Sequence, residues 1–144
     1  MNAAARLARD WIGTPYLHQA SLKGAGCDCL GLVRGVRAEL GFPDVPVPAY
    51  APGWGETEPG LEPLLDAAHR LLVVRDELRP QAGDVIVFRM IARGPAKHCG
   101  IALNERHFVH AQAGVGTVRA ALSEPWRRRI AGVFAFPSQS EPNA

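Results

Sequence analysis

The chain has 144 residues, of which 47% are hydrophobic and 21% charged, which is enough for one compact core. The net charge is only +2 and just two of the 16 basic residues are lysines, which argues against a nucleic-acid partner. No apolar run approaches the roughly 18 residues needed to span a bilayer, and Arg6, Arg9 and Asp10 interrupt any export signal. We therefore expect a soluble protein that is synthesised in the cytoplasm and does not insert into membranes.

The N-terminal part of the chain carries apolar residues at helical spacing. A first helix is predicted over residues 3–12, with Ile12 on its apolar face, and a glycine-bearing loop is predicted over residues 17–28. A second helix is predicted to begin at Cys29 and to end at Gly41, because glycine is common just beyond a helix C-terminus. Its buried stripe consists of Cys29, Leu32, Val33, Val36 and Leu40.

The rest of the chain changes from helical to strand-like patterns. Residues 42–60 are rich in proline and aromatic residues and are predicted to form an ordered surface loop, and a short third helix is predicted from about Glu62. Strands are predicted over residues 84–90, 98–103, 107–111, 115–118 and 133–136. Helices followed by strands predict an α+β domain with an antiparallel sheet, formed by residues 1–137 and followed by a disordered tail at 138–144.

Cys29 is the first candidate for chemistry, because it lies at the predicted start of a helix. The unpaired amides and the positive end of the helix dipole at that position favour a thiolate and are suited to binding an oxyanion. Asp28 is suited to capping the helix, although its charge opposes a thiolate. The alternative is that Cys29 is only a small apolar residue of the buried stripe. With Cys27 and Cys99 the cysteines are odd in number, so a disulfide framework is not expected.

A nucleophilic thiol needs a base, and His98 has suitable surroundings for that role. Side chains alternate along a strand, so His98 and Cys99 are expected on opposite faces, with Cys99 on the more apolar one. His98 then shares its face with Gly100 and Ala102, which leave room for another group. The alternative is a purely structural strand histidine.

His110 follows His98 across a predicted hairpin. A three-residue loop at 104–106 would place both histidines on one face, whereas a two-residue loop would place them on opposite faces. Asn104-Glu105 lacks the glycine of a tight turn, which favours the longer loop and a row of thiol, imidazole and second imidazole. His18 and His69 are interpreted as incidental surface residues.

Five segments, taken in chain order, resemble the motifs of one family. They are Gly13-Thr14-Pro15-Tyr16, Gly26-Cys27-Asp28-Cys29-Leu30-Gly31-Leu32-Val33, Gln81-Ala82-Gly83-Asp84-Val85-Ile86-Val87-Phe88, His98-Cys99-Gly100-Ile101-Ala102 and Phe108-Val109-His110-Ala111. Together they resemble the NlpC-type cell-wall cysteine peptidases, a papain-like group that cuts peptidoglycan stem peptides. The resemblance implies a papain-like α+β fold with the nucleophile at a helix N-terminus packed on a small antiparallel sheet.

The resemblance also implies roles for individual residues. Cys29 would be the nucleophile, His98 the general base and His110 the residue that orients the base. Tyr16 resembles the tyrosine that flanks the nucleophile, and Asp28 the carboxylate that helps to hold the free amine of the stem peptide.

One position departs from the family pattern. Leu30 stands where the commonest pattern has serine, so one polar contact near the substrate amine is missing. The bond that the resemblance implies is the γ-D-glutamyl-diaminopimelate bond, and neither a cofactor nor a metal is expected.

The variant Cys27-Asp28-Cys29-Leu30-Gly31-Leu32, with His98-Cys99 and the closing segments Trp126-Arg127-Arg128 and Phe136-Pro137, resembles the branch found in phage tails and gene transfer agents. This implies tail proteins as partners and delivery to the periplasm or cell wall by a phage-like particle. It would reconcile a cell-wall substrate with the lack of an export signal.

Three other hypotheses compete with hydrolysis. The first is a catalytically inactive, structural tail-hub protein of the same fold, which predicts an unreactive Cys29. The second is transfer of the acyl group to an acceptor other than water, through the same thioester. The third is a metal site built from the cysteines and neighbouring histidines, which is disfavoured because Cys27 and Cys29 are too close in sequence.

Overall fold

A computed structural model describes residues 2–45 and 61–138 of the chain. Helix α1 spans Ala3–Asp10 and its first turn is capped by the Asn2 side chain, which accepts a 3.1 Å hydrogen bond from the Ala5 amide. A two-stranded hairpin, β1 (Ser21–Leu22) and β2 (Gly26–Cys27), precedes helix α2 (Cys29–Glu39). Helix α3 spans Pro63–Leu71, with Pro63 in the first turn, where its missing amide hydrogen has no cost.

The second half of the chain forms an antiparallel six-stranded sheet. Its strands are β3 (Val73–Val74), β4 (Val85–Arg89), β5 (Ala96–Ala102), β6 (His107–Gln112), β7 (Gly116–Ala121) and β8 (Ile130–Ala135). Their order across the sheet is β3-β8-β4-β5-β6-β7. A single-turn helix, α4 (Glu124–Arg127), connects β7 to β8.

The two faces of the sheet are covered differently. The odd-numbered residues Val85, Val87, Cys99, Ile101 and Val109 belong to the larger core, which includes apolar residues of α1, α2 and α3. A smaller cluster lies on the opposite face, and Trp126 of α4 packs against it. It consists of Ile86, Phe88, Ala102, Phe108 and Leu122. Alternation along each strand therefore separates a helix-covered face from a face covered by α4. No helix in residues 2–45 and 61–138 is long and apolar enough to cross a membrane.

The sequence-based expectations for the elements are confirmed in outline, with three corrections. The loop predicted over residues 17–28 contains the β1–β2 hairpin. Ile12, predicted on the apolar face of α1, lies beyond the end of that helix with 40% of its surface exposed, whereas Trp11 is buried. Strand β3 was not predicted. Most of the proline-rich segment, residues 46–60, and residues 139–144 of the tail lie outside the described residues.

Candidate active site

The local structure before α2 fixes the position of Cys29. Cys29 is the first residue of the helix, and Asp28 is its N-cap, with Oδ1 accepting a 2.7 Å hydrogen bond from the Gly31 amide. The preceding loop lies so close to the helix that a Cβ atom at Gly31 would be 1.8 Å from the Ala20 carbonyl oxygen. Glycine is therefore required at position 31, and the close approach holds the start of α2, with Cys29, against the loop.

Asp28 has a structural role that goes beyond the cap. It is 2% exposed, and its Oδ2 accepts a 2.7 Å hydrogen bond from the Gln19 amide. Nδ1 of His18 lies 3.8 Å from the same oxygen. One carboxylate thus joins the helix start to the loop before β1, and it places negative charge beside Cys29.

The two candidate histidines meet on one face of the sheet. The register pairs Ala102 with Phe108, and the amide of Leu103 donates to the carbonyl of His107, which leaves a three-residue loop at 104–106. This confirms the longer of the two predicted loops. His98 and His110 consequently share a face, with Nε2 of His98 2.7 Å from Nδ1 of His110.

Gly100 provides the room for that contact. A Cβ atom at this position would lie 2.7 Å from the Val109 carbonyl oxygen and 3.2 Å from Cβ of His110. The ladder between β5 and β6 ends at Ile101 and Val109. The strands therefore diverge beyond Gly100, and the two imidazole rings meet in the opening between them.

The electrostatic surroundings favour a thiolate at Cys29. A hydrogen bond from the Cys99 thiol, supported by the hydrogen bond and charge of His98, lowers the pKa of Cys29 to about 5, although burial and the Asp28 charge oppose this. The same hydrogen bond, together with burial, raises the pKa of Cys99. The charge belongs on Cys29 because this residue adjoins His98 and begins a helix, whereas Cys99 is buried beside apolar side chains of the core that include Val33, Leu64 and Leu71.

His110 is held in its neutral form. Burial, reinforced by the neighbouring His98, lowers the pKa of His110 to about 4. A neutral imidazole has one donor and one acceptor nitrogen, whereas a protonated imidazole has two donors. If His98 is protonated, its Nε2–H must therefore donate to Nδ1 of His110, which fixes the remaining proton of His110 on Nε2.

These side chains line one cleft of about 240 Å³. Tyr16, Asp28 and Cys29 line it from the loop before β1 and the start of α2, and His98 and His110 line it from β5 and β6. Further lining residues are His18, Leu30, Met90, Lys97, Ala111, Gln112, Ala113 and Trp126. Burial, followed by the negative charges of Cys29 and Asp28, raises the pKa of Tyr16, so its hydroxyl keeps its proton and remains a hydrogen-bond donor.

The structure brings all five predicted site residues to this cleft and corrects one interpretation. His18, interpreted from its loop position as an incidental surface residue, is half-buried and lines the cleft beside Asp28. His69 is exposed on α3, with its ring edge against Phe134. Leu30 is 3% exposed and packs into the larger core, which explains why an apolar residue is accommodated there.

Sequence reasoning did not assign two further residues to the site, although one of them, Trp126, belongs to the closing segment of the resemblance. Cys99 was expected to point away from His98, and it does, yet it reaches Cys29 from the opposite face of β5. Trp126 contacts both histidines although it lies 16 positions beyond His110. No local pattern indicates either contact, because both depend on how α2 and α4 pack against the sheet. Within residues 2–45 and 61–138, no group of three or more metal-ligating side chains is placed to hold a metal ion.

The fold and the residues of the cleft agree with a match to a family model. The model of the NlpC/P60 family matches residues 13–135, a range that contains every residue of the cleft. The chain belongs to the NlpC/P60 family.

A curated relative is the murein DD-endopeptidase MepS/murein LD-carboxypeptidase of Escherichia coli K12. It is 32% identical to this chain over 122 residues, which cover 83% of this chain and 54% of that protein. The chain thus spans about half the length of the curated relatives that it matches.

Solved structures share the fold at lower identity. The NlpC/p60 domain of the peptidoglycan hydrolase SagA is similar with a TM-score of 0.64 and 22% identity, over 94% of this chain and 100% of that one. NlpC2 from Trichomonas vaginalis gives a TM-score of 0.66 and 19% identity, over 94% of this chain and 46% of that one. The predicted papain-like α+β fold is confirmed.

Proposed function

We propose that the protein is a cysteine peptidase that cleaves peptide bonds in the stem peptides of peptidoglycan. The observation that carries the proposal is the alignment of a low-pKa thiol with two hydrogen-bonded imidazoles along one cleft. The names of the relatives support the substrate class, since one is a murein endopeptidase and another is a domain of a peptidoglycan hydrolase.

The proposed reaction begins with attack by the Cys29 thiolate on the carbonyl carbon of the scissile bond. The resulting oxyanion accepts hydrogen bonds from the first-turn amides of Cys29 and Leu30, which precede the first amide satisfied by the cap. Protonated His98 then transfers its proton to the leaving amine, and a thioester remains on Cys29. His98 next removes a proton from water, and the resulting hydroxide attacks the thioester. Collapse of this intermediate releases the carboxylic acid and restores the Cys29 thiolate beside protonated His98.

In this mechanism His110 orients the base. Its Nδ1 accepts the Nε2–H of His98 and so directs the other ring nitrogen of His98 toward the thiol. A neutral His110 is suited to this task because it stabilises the imidazolium without adding a second positive charge.

The proposed substrate contacts are Asp28 and Tyr16. The Asp28 carboxylate already accepts two backbone amides, but a carboxylate has acceptor capacity beyond two hydrogen bonds and its charge attracts the free amine of a stem peptide. The protonated hydroxyl of Tyr16 is available to donate to substrate oxygens beside Cys29. Leu30 supplies no polar contact in the cleft, so the amine relies on Asp28. The proposed bond is the one between γ-D-glutamate and diaminopimelate.

We also propose that the enzyme acts as a component of a phage-like tail or a gene transfer agent. The support is the motif variant Cys27-Asp28-Cys29-Leu30-Gly31-Leu32 together with His98-Cys99. Immunodetection in gradient-purified particles tests this directly. The protein should sediment with intact tails, and its absence from them would contradict the delivery role without affecting the proposed chemistry.

Mass spectrometry of purified muropeptides tests the activity. The wild type should produce a pair of products whose masses identify the bond, and Cys29→Ala should produce none. Cys27→Ala is the matched control, because it removes a thiol that is also on this segment but is fully buried against Thr117. Absence of products from the wild type would contradict the proposal. An unreactive Cys29 would then favour the structural tail-hub protein.

A further inference from the structure

Trp126 covers the two histidines from outside the strands that carry them. Its ring centre lies 5.9 Å from that of His98 and 5.4 Å from that of His110. It also contacts Phe88 at 4.9 Å and Phe108 at 5.2 Å. Trp126 thus closes an aromatic layer that surrounds the histidine pair on the face that α1, α2 and α3 do not cover.

His110 depends on that cover for its burial. It is 2% exposed although it lies on the less covered face of the sheet. The His110 ring contacts the rings of Phe108 on its own strand, His98 on the neighbouring strand and Trp126. Phe108 and His98 belong to β6 and β5, whereas Trp126 belongs to α4 and reaches His110 from outside these two strands.

We propose that Trp126 is a positioning residue: its indole excludes water from the hydrogen bond between His98 and His110 and keeps His110 as a neutral acceptor. The catalytic consequence rests on the proposed function, whereas the effect on the ionisation of His110 is a property of the folded chain. Nothing in the alignment of thiol and base requires a tryptophan here, so the role is additional to that of the three residues in the reaction.

The ionisation of His110 supports this role. Burial is the main cause that lowers its pKa, and the neighbouring His98 is the second. Removal of the indole would hydrate His110 and raise its pKa toward the ordinary value for histidine, about 6.5. A protonated His110 has no acceptor nitrogen and repels a protonated His98, so the orientation of the base would be lost at mildly acidic pH.

Several charged or titratable groups face the pair from the surrounding elements. They are Tyr16 and His18 on the loop before β1, Asp28 and Cys29 at the start of α2, Lys97 on β5 and Arg129 after α4, whose guanidinium lies 5.7 Å from the centre of the Trp126 ring. All of these groups remain when Trp126 is replaced. A change in the pKa of His110 in the Trp126 variants would therefore result from loss of the indole that covers it and not from removal of a charged group.

Histidine ring NMR titration of the full-length chain tests the proposal without substrate. In Trp126→Ala the pKa of His110 should rise by about one unit or more, and in Trp126→Leu it should rise by less. Leu122→Ala is the matched control, because Leu122 is 4% exposed in the same apolar cluster, and it should leave the titration of His110 unchanged. If Trp126→Ala fails to fold, the Leu variant decides.

A second arm measures kcat/KM against pH on muropeptides. The acidic limb of the profile should move to higher pH in the Trp126 variants and not in Leu122→Ala. An unchanged titration of His110 in a folded Trp126 variant, or an equal change in Leu122→Ala, would overturn the proposal. Absence of cleavage by the wild type would instead contradict the proposed function, and the NMR result would still decide the role of Trp126.

Discussion

Nε2 of His98 lies 2.7 Å from Nδ1 of His110, although the two residues belong to strands whose ladder has already ended. The contact exists because a three-residue loop places both side chains on one face and Gly100 leaves the space between them. The proposed roles of the two histidines follow from this geometry. His98 reaches the Cys29 thiol, and the buried His110 holds the His98 ring in place.

Replacement of the two histidines should have unequal effects. His98→Ala removes the proton carrier and should lower kcat/KM by about 10³-fold or more, within the range for general acid–base catalysis. His110→Ala should lower it by only about 10–100-fold, because an orienting residue contributes less than the base that it orients. Steady-state kinetics on muropeptides measures both values.

A matched variant separates orientation from packing. In His110→Asn the side-chain oxygen can still accept a hydrogen bond from His98, so this variant should retain more activity than His110→Ala. Equal losses in all three variants, accompanied by unfolding, would assign both histidines to structure rather than to catalysis.

Cys99 should tune the reactivity of Cys29. Cys99→Ala removes the thiol that hydrogen-bonds the Cys29 sulfur, so the pKa of Cys29 should rise, and the acidic limb of kcat/KM against pH should move upward by about one unit. Cys99→Ser keeps a donor and should restore most of the original profile. Cys27→Ala should leave the limb in place. A limb that is unmoved in Cys99→Ala would show that His98 alone sets the ionisation of Cys29.

The buried His110 should make stability depend on pH. Its pKa is about 4 in the folded protein and about 6.5 in an unfolded chain. Between these values the unfolded chain binds the proton and the folded protein does not, so the free energy of unfolding falls as the pH drops from about 6.5 to about 4. The loss amounts to about 3 kcal/mol when complete.

Urea unfolding at pH 7 and at pH 4.5 measures this dependence. Other groups also titrate in the range, so the difference between the wild type and His110→Gln isolates the contribution of His110. The variant should lose less stability on acidification. An identical loss in the two proteins would mean that His110 titrates normally in the folded state.

Gly31 should be intolerant of any side chain. A Cβ atom there would overlap the Ala20 carbonyl oxygen at 1.8 Å, so Gly31→Ala should lower the free energy of unfolding by about 2 kcal/mol or more. Gly94→Ala is the control: its Cβ would have its nearest neighbour, Cβ of Ile91, at an ordinary 3.4 Å. That variant should stay within about 0.5 kcal/mol of the wild type in chemical denaturation. A neutral Gly31→Ala would show that the loop before α2 shifts freely.

Much of helix α2 could be predicted from the sequence, because its signals are local. Asp28 caps the helix, Cys29 begins it, and Gly41 follows it with φ +100°, as the helix-stop pattern indicated. The shared face of His98 and His110 could also be predicted, because strand alternation and the length of one loop determine it.

The remaining parts of the site depend on tertiary packing and left no local signal. The strands β1, β2 and β3 have two residues each, too few to show a period of two. His18 lies in a loop, and the fold of that loop places it in the cleft beside Asp28. Trp126 reaches the histidines because it packs against the smaller apolar cluster of the sheet, which no spacing along the chain encodes.

Competitive alkylation of the three cysteines across pH 4 to 9, with each thiol quantified by mass spectrometry, tests whether Cys29 is an activated thiol. We expect Cys29 to react fastest at neutral pH, with a midpoint near its pKa of about 5. Cys27 and Cys99, whose pKa values are raised, serve as internal controls and should react only slowly. If Cys29 reacts no faster than these two, with a midpoint near the ordinary thiol value of about 8.5, the cleft holds no activated nucleophile and the proposed peptidase mechanism is wrong.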